Sequence, residues 1–213
     1  MYHEITQIRI LTESTFVLRM DRGNILFKAG QRIIAGLKGE LNQREYSVYS
    51  GEKDDYLEIL VREVIDGHVS VQLKECKKGQ LLEVNGPFGS FGPERSDMLS
   101  GKFIFIASGT GISPFHSIVR SYPGIDYVLF HGVCYKNEAY EKDHYDPDRY
   151  ILSTSRENSG GRQGRVTKFI KQYPVKPEML FYLCGNGNMI YEVSQILRER
   201  EVEDDKIFSE IYF

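Results

Sequence analysis

The chain has 213 residues, 41% hydrophobic and 27% charged, an ordinary balance for a globular protein that can bury one large core or two smaller ones. Its 27 basic and 30 acidic residues leave a formal charge of −3, which argues against nucleic acid as a partner. No apolar run approaches the ~18 residues a membrane-spanning helix needs, and Cys76, Cys134 and Cys184 are too few and too scattered for a zinc site, an iron–sulfur cluster or a disulfide framework.

The opening MYHEITQIRI has an early acidic residue and no apolar run, so it does not read as a secretory signal; a reducing cytoplasm is the expected location. The first half then alternates as strands do. Ile8 and Ile10, then Phe16, Leu18 and Met20, then Tyr46 and Val48, then Leu57, Ile59 and Val61 keep a period of two, ahead of Val64 and Ile65. Turn signals at Asp21–Gly23, Ala29–Gly30, Ser50–Gly51 and Lys78–Gly79 separate the runs. Short strands punctuated in this way predict a small antiparallel barrel. Within it Val69, Leu73 and Cys76 fall at helical spacing, which predicts one short helix over 69–78.

From about residue 100 the rhythm changes. FIFIA (103–107), YVLFHGV (127–133), RYILS (149–153) and LFYLC (180–184) are continuous apolar runs of the kind found in central parallel strands. Helical segments are expected over 114–121, 166–173 and 189–200, and a last strand over 207–212. This alternation predicts a doubly wound parallel sheet, with the boundary near 97–102.

Three motifs carry chemistry. In IASGTGISPF (106–115) a buried strand runs into Gly109-Thr110-Gly111, followed by Ser113 and Pro114 as N-cap and first-turn residue of a helix. The glycines let backbone approach a phosphate, and a helix N-terminus supplies N–H groups and the positive end of a dipole. Pro114 stands where the dinucleotide fingerprint has its third glycine, so a tight turn without ligand stays open on this motif alone. In REYSVYS (44–50) Arg44 and Tyr46 share one face of a strand, the first able to grip a phosphate and the second to stack on a flat ring. An exposed alternating strand is the alternative. In DGHVSVQL (66–73) a glycine turn opens the short helix, whose N–H groups and Ser70 suit a pyrophosphate; an ordinary capped helix is the plainer possibility.

Taken in order, Arg44-Glu45-Tyr46-Ser47, Gly67–Ser70, Gly86-Pro87-Phe88-Gly89, Gly109–Pro114 and Cys184-Gly185-Asn186 resemble the ferredoxin–NADP reductase superfamily over essentially the whole chain. The resemblance implies an antiparallel β-barrel of the six-stranded type over 1–98 for FAD. It implies a doubly wound parallel sheet of the five-stranded type over 99–213 for NADP(H). It also implies a flavoenzyme that exchanges hydride between these cofactors and passes electrons to a separate ferredoxin or flavodoxin. The reductase component of an oxygenase and a free-flavin reductase are the alternatives.

By the same resemblance Arg44 would bind the FAD pyrophosphate, Tyr46 would pack on the isoalloxazine and ribityl region, and Ser47 would hydrogen-bond the flavin N5 edge. Backbone around Val69 and the Ser70 hydroxyl would complete the pyrophosphate clamp. Gly109, Thr110 and Gly111 would cradle the dinucleotide, and Cys184, followed by Gly185, would help to place its nicotinamide. Glu210 would shape the polarity near N5, Tyr212 would shield the flavin face, and Phe213 would touch FAD. Ser155, Arg156 and Arg165 look like the family's holders of the NADP 2′-phosphate, although Cys134 stands near the place where bacterial relatives carry another arginine. Lys74, Lys77 and Lys78 offer part of a docking face for an acidic carrier, or else a solvated helix end. A monomer without metal is expected.

Overall fold

The computed structural model describes residues 1–94, 96–99, 101–157 and 162–212. They form two compact units, Met1–Gly92 with Ser113–Pro123, and Pro93–Ile112 with Gly124–Phe213. No helix among the described residues is long and apolar enough to cross a membrane.

The first unit contains β1 (Tyr2–Ile10), β2 (Thr15–Asp21), β3 (Arg32–Leu37), β4 (Arg44–Ser47), β5 (Tyr56–Arg62), α1 (His68–Glu75) and β6 (Leu81–Phe88). The strands run antiparallel in the order β4-β3-β6-β1-β2-β5. A bridge between Val48 and Ile59 then brings the chain just after β4 onto β5, so the two ends of the order meet. Alternate residues fill the interior: Phe16, Leu18, Met20, Ile33, Leu57, Ile59, Leu82 and Val84 are all inaccessible to solvent. On the opposite face of β5 the buried Glu58 carboxylate accepts Arg9 and, at 2.8 Å, the Nε of Arg19. Such a charge persists under cover only because it is paired.

The periodicity expectation of four strands falls short by two, β3 and β6. The helix is also shorter than 69–78. It ends at Glu75 because Lys77 N–H turns to the Gln80 side chain at 2.6 Å and Gln80 N–H to the Lys77 carbonyl at 3.1 Å. Lys77 and Lys78 therefore sit in an exposed turn, whereas Lys74 is engaged by Glu63 and by the Glu13 carbonyl at 2.7 Å.

The second unit is built on β7 (Lys102–Ser108), β8 (Tyr127–Val133), β9 (Tyr150–Thr154), the two-residue β10 (Arg162–Gln163), β11 (Met179–Gly185) and β12 (Ile207–Ile211). All are parallel, in the order β10-β9-β8-β7-β11-β12. The helices α3 (Val166–Ile170) and α4 (Gly187–Arg198) contribute Val166, Ile170, Val193 and Leu197 to the core that also takes Ile104, Ile106, Phe181 and Leu183 from the sheet.

Between β7 and β8 the chain passes through a 3₁₀ turn, Gly109–Ile112, into α2 (Ser113–Ser121), and this helix packs with the barrel unit. The His116 ring stacks on Tyr49 at 3.8 Å and its Nδ1–H donates to the Tyr49 carbonyl at 2.6 Å. The Ser117 hydroxyl donates to the Ser50 carbonyl at 2.7 Å, and Arg120 grips Asp54 through two guanidinium nitrogens.

Candidate functional site

In the second unit β7 comes first in the chain but lies in the middle of the sheet. The chain steps outward to β8 and β9, then returns to the other side of β7 for β11 and β12. The crevice at the carboxyl ends of β7 and β11 is thus the switch point where open parallel sheets bind ligands. The GTG turn lies there. A Cβ on Gly111 would stand 2.3 Å from the Cys184 carbonyl oxygen, and one on Gly185 would stand 2.4 Å from the Ser108 hydroxyl. Only glycine at both places lets the turn lie flush on the end of β11. Asn186 N–H then donates to the Ser108 hydroxyl at 2.9 Å, and the Asn186 side chain caps α4 by accepting from Asn188 N–H at 3.0 Å.

Cys184 pairs in register with Glu210, and the Tyr212 N–H donates to the Gly185 carbonyl at 3.0 Å. The thiol is wholly buried, and burial, reinforced by the Glu210 carboxylate, pushes its pKa well up against the opposing influence of Tyr212. Cys184 is thus a neutral thiol, suited to holding shape and not to attack. Cys184, Gly185, Glu210 and Tyr212 are brought together with Gly111; Phe213 lies outside the described residues.

At the carboxyl end of β9, Ser155 and Arg156 are exposed, held by Ser155 N–H to the Val133 carbonyl and Arg156 N–H to the Cys134 carbonyl, both at 3.0 Å. The Arg156 side chain hydrogen-bonds Tyr135. Gly164 N–H donates to the Thr154 carbonyl at 2.8 Å, and β10 pairs with Ser153 and Thr154. These bonds return the chain to β9 immediately before the exposed Arg165 at the start of α3. Two arginines nine positions apart in the chain thus converge on one strand end. A pocket beside them is lined by Tyr135, Lys136, Lys142, Leu152 and Glu157. The cations gathered here, Arg156, Arg165, Lys136 and Lys142, fit a dinucleotide carrying an extra phosphate, with the Glu157 carboxylate on the same pocket wall.

In the first unit β3 is flanked by β4 and carries α1 against it, so both predicted flavin elements gather at one strand. Arg44 is exposed, its guanidinium donating to the Gln43 carbonyl at 2.8 Å. Tyr46 packs half-buried on the barrel core, and burial raises its phenol to about 12 against the opposing pull of Arg44. It stays neutral at physiological pH. Ser47 is buried at the end of β4. Val69 and Ser70 lie in the first turn of α1, whose N–H groups have no acceptor within the helix. The Ser70 hydroxyl oxygen accepts from Val64 N–H at 3.0 Å, which closes the turn ahead of the helix and leaves its own proton to donate. A guanidinium, a neutral aromatic and a helix N-terminus fit a flavin with a pyrophosphate.

Sequence reasoning passed over His131, Tyr135, Lys136 and Tyr150. The one available signal was His131, a lone histidine inside the apolar run YVLFHGV.

Residues 5–92 match the family model of the oxidoreductase FAD-binding domain, and residues 105–195 match that of the oxidoreductase NAD-binding domain. Fold and sites define a two-cofactor flavoprotein oxidoreductase. The chain is 30% identical over 203 residues to a ferredoxin–NADP reductase of Pseudomonas aeruginosa, covering 80% of this chain and 78% of that protein. It is 26% identical over 223 residues to the toluate 1,2-dioxygenase electron transfer component of Pseudomonas putida, covering 97% of this chain and 66% of that protein, just under two thirds of the relative's length. A solved ferredoxin NADP+ reductase from Neisseria gonorrhoeae with bound FAD and NADP has the same fold, with a TM-score of 0.86 at 23% identity over 100% of this chain and 98% of that one. The chain belongs to the ferredoxin–NADP reductase superfamily.

Proposed function

We propose that the protein exchanges hydride between NADP(H) and FAD and passes electrons to a separate ferredoxin or flavodoxin. The observation that carries the choice of NADP is the convergence of Ser155, Arg156 and Arg165 on the end of β9. An acidic side chain reaching the ribose hydroxyls would instead favour NAD. The flavin, when bound, supplies the hydride-accepting centre and divides electron pairs into single electrons.

In this reading Arg44 and the first turn of α1, with Val69 and the Ser70 hydroxyl, hold the FAD pyrophosphate. Tyr46 packs on the ring system, and Ser47 donates to the N5 edge. Gly109, Thr110 and Gly111 receive the dinucleotide, Cys184 and Gly185 shape the nicotinamide subsite, and Glu210 sets its polarity. Tyr212 and Phe213 cover the flavin face. The chain carries no cluster-binding cysteine motif, which supports a carrier outside these 213 residues. The exposed Lys77 and Lys78 supply positive charge for an acidic one.

A second reading, the reductase component of an oxygenase, is favoured by the alignment of 97% of the chain with the toluate dioxygenase component. Steady-state assays with NADPH and NADH against ferredoxin, flavodoxin and free flavin separate the two. NADPH preference with turnover of a protein carrier supports the first; NADH preference with no carrier turnover overturns it.

A further inference from the structure

His131 is wholly buried in β8, in a strand otherwise built of apolar and small residues. Its Nε2 lies 2.9 Å from the Gly109 carbonyl oxygen and its Nδ1 lies 2.8 Å from the Tyr150 hydroxyl. A carbonyl oxygen only accepts, so Nε2 carries the proton and donates, while Nδ1 accepts from the Tyr150 O–H. Burial holds both partners in these states. It lowers the imidazole pKa to about 4, against the pull of the Gly109 carbonyl, and it raises the Tyr150 phenol. The imidazole is therefore neutral across the physiological range. The pleat supports the contact: His131 is in register with Leu152, two residues from Tyr150 on the same face of β9.

The consequence falls on the GTG turn. Gly109 has φ +54 and opens the 3₁₀ turn that leaves β7. In a trans peptide the C=O and the next N–H point in opposite directions. Fixing the Gly109 carbonyl toward His131 fixes the Thr110 N–H away from it. A polar network made of single-proton donors with one satisfying arrangement resists rotation of that peptide.

We propose that His131, its tautomer set by the Gly109 carbonyl and its ring held in place by the Tyr150 hydroxyl, is a positioning residue that locks the Gly109–Thr110 peptide so that the turn presents its N–H groups to the dinucleotide. This rests on the assignment of a nicotinamide dinucleotide to that turn. His131→Phe keeps a ring of similar size and removes the donor. Tyr150→Phe removes only the hydroxyl that donates to Nδ1 and holds the ring. His131→Gln restores an N–H near the Nε2 position.

The test is the dissociation constant for NADP+ and for 2′-phospho-AMP, with FAD content and melting temperature, on all four proteins. His131→Phe should weaken NADP+ about tenfold, the worth of one well-ordered buried hydrogen bond, and Tyr150→Phe by a few-fold. His131→Gln should recover most of the loss although it fills the site less well, which a purely packing role would not permit. The ¹⁵N shifts of His131 should report the Nε2–H tautomer in the wild type and also in Tyr150→Phe, because the Gly109 carbonyl that sets it remains. A folded His131→Phe with unchanged NADP+ affinity overturns the assignment. So does an Nδ1–H tautomer in the wild type, a reading that stands even if His131→Phe fails to fold. Absence of binding of either NADP+ or NAD+ to the wild type instead overturns the dinucleotide reading itself, and the positioning role with it.

Discussion

Cys184 and Glu210 stand opposite each other across β11 and β12, so a buried thiol and a carboxylate share one face at the carboxyl ends of two parallel strands. Burial and the neighbouring negative charge both keep the thiol protonated. Cys184→Ala should keep FAD and fold, yet slow reduction of the flavin by NADPH in stopped flow, since displacement of reacting atoms by ~1 Å costs roughly a hundredfold. An unchanged rate would return Cys184 to core packing. Alkylation of the native protein at pH 8 should spare Cys184 and reach the half-buried Cys134 first, which peptide mass mapping reads directly.

Arg156→Ala and Arg165→Ala should each weaken NADPH, since each removes a charge-assisted phosphate contact, and leave NADH nearly untouched. The paired inhibition constants of 2′-phospho-AMP and AMP check this without turnover. Equal losses for both would mean that the arginines act on shared atoms or on folding.

Gly111→Ala brings a methyl group into the Cys184 carbonyl at 2.3 Å, a backbone obstacle that no side-chain rotation relieves. The turn or the end of β11 must move, and overpacking of this kind costs about 1–3 kcal/mol. Thermal melting should fall, and NADP+ binding should be lost before FAD content declines. A variant that melts and binds like the wild type would show that the turn has slack.

Asp54 accepts Arg120 through two nitrogens and the Gly51 N–H at 2.7 Å. Burial alone would raise its pKa, but the bonds from Arg120 and Gly51 outweigh it and hold the carboxyl below its usual range. A folded-state pKa below the unfolded one contributes stability above the unfolded value, lost as pH falls through the folded one. Asp54→Asn should therefore cost of the order of 1 kcal/mol at pH 7, discounted for the half-exposed guanidinium, and less at an acid pH below the usual carboxyl range. Denaturant midpoints at the two pH values provide the comparison.

Where the chain wrote its pattern in large side chains, the elements were readable: Phe16, Leu18 and Met20 gave β2, and FIFIA and LFYLC gave β7 and β11. β3 escaped because Ala35, between Ile33 and Leu37 on the inward face and with Gly36 behind it, is too small to mark a stripe. β6 escaped because Asn85, Gly86 and Pro87 read as punctuation, although Asn85 and Phe88 pair with β3 on either side of an irregularity that takes in Gly86 and Pro87. The site was legible where motifs announce backbone, as in GTG. Partnerships across strands were not, because nothing local to Cys184 or His131 names Glu210 or Tyr150.

The backbone crosses between the two compact units three times, after Gly92, after Ile112 and after Pro123. The halves are consequently not cassettes. A fragment ending at residue 98 would leave Tyr49 without its stacked imidazole and Asp54 without its guanidinium, because both come from 113–123. Chimeras that exchange the second unit while keeping the first must splice at three junctions and let α2 travel with the barrel.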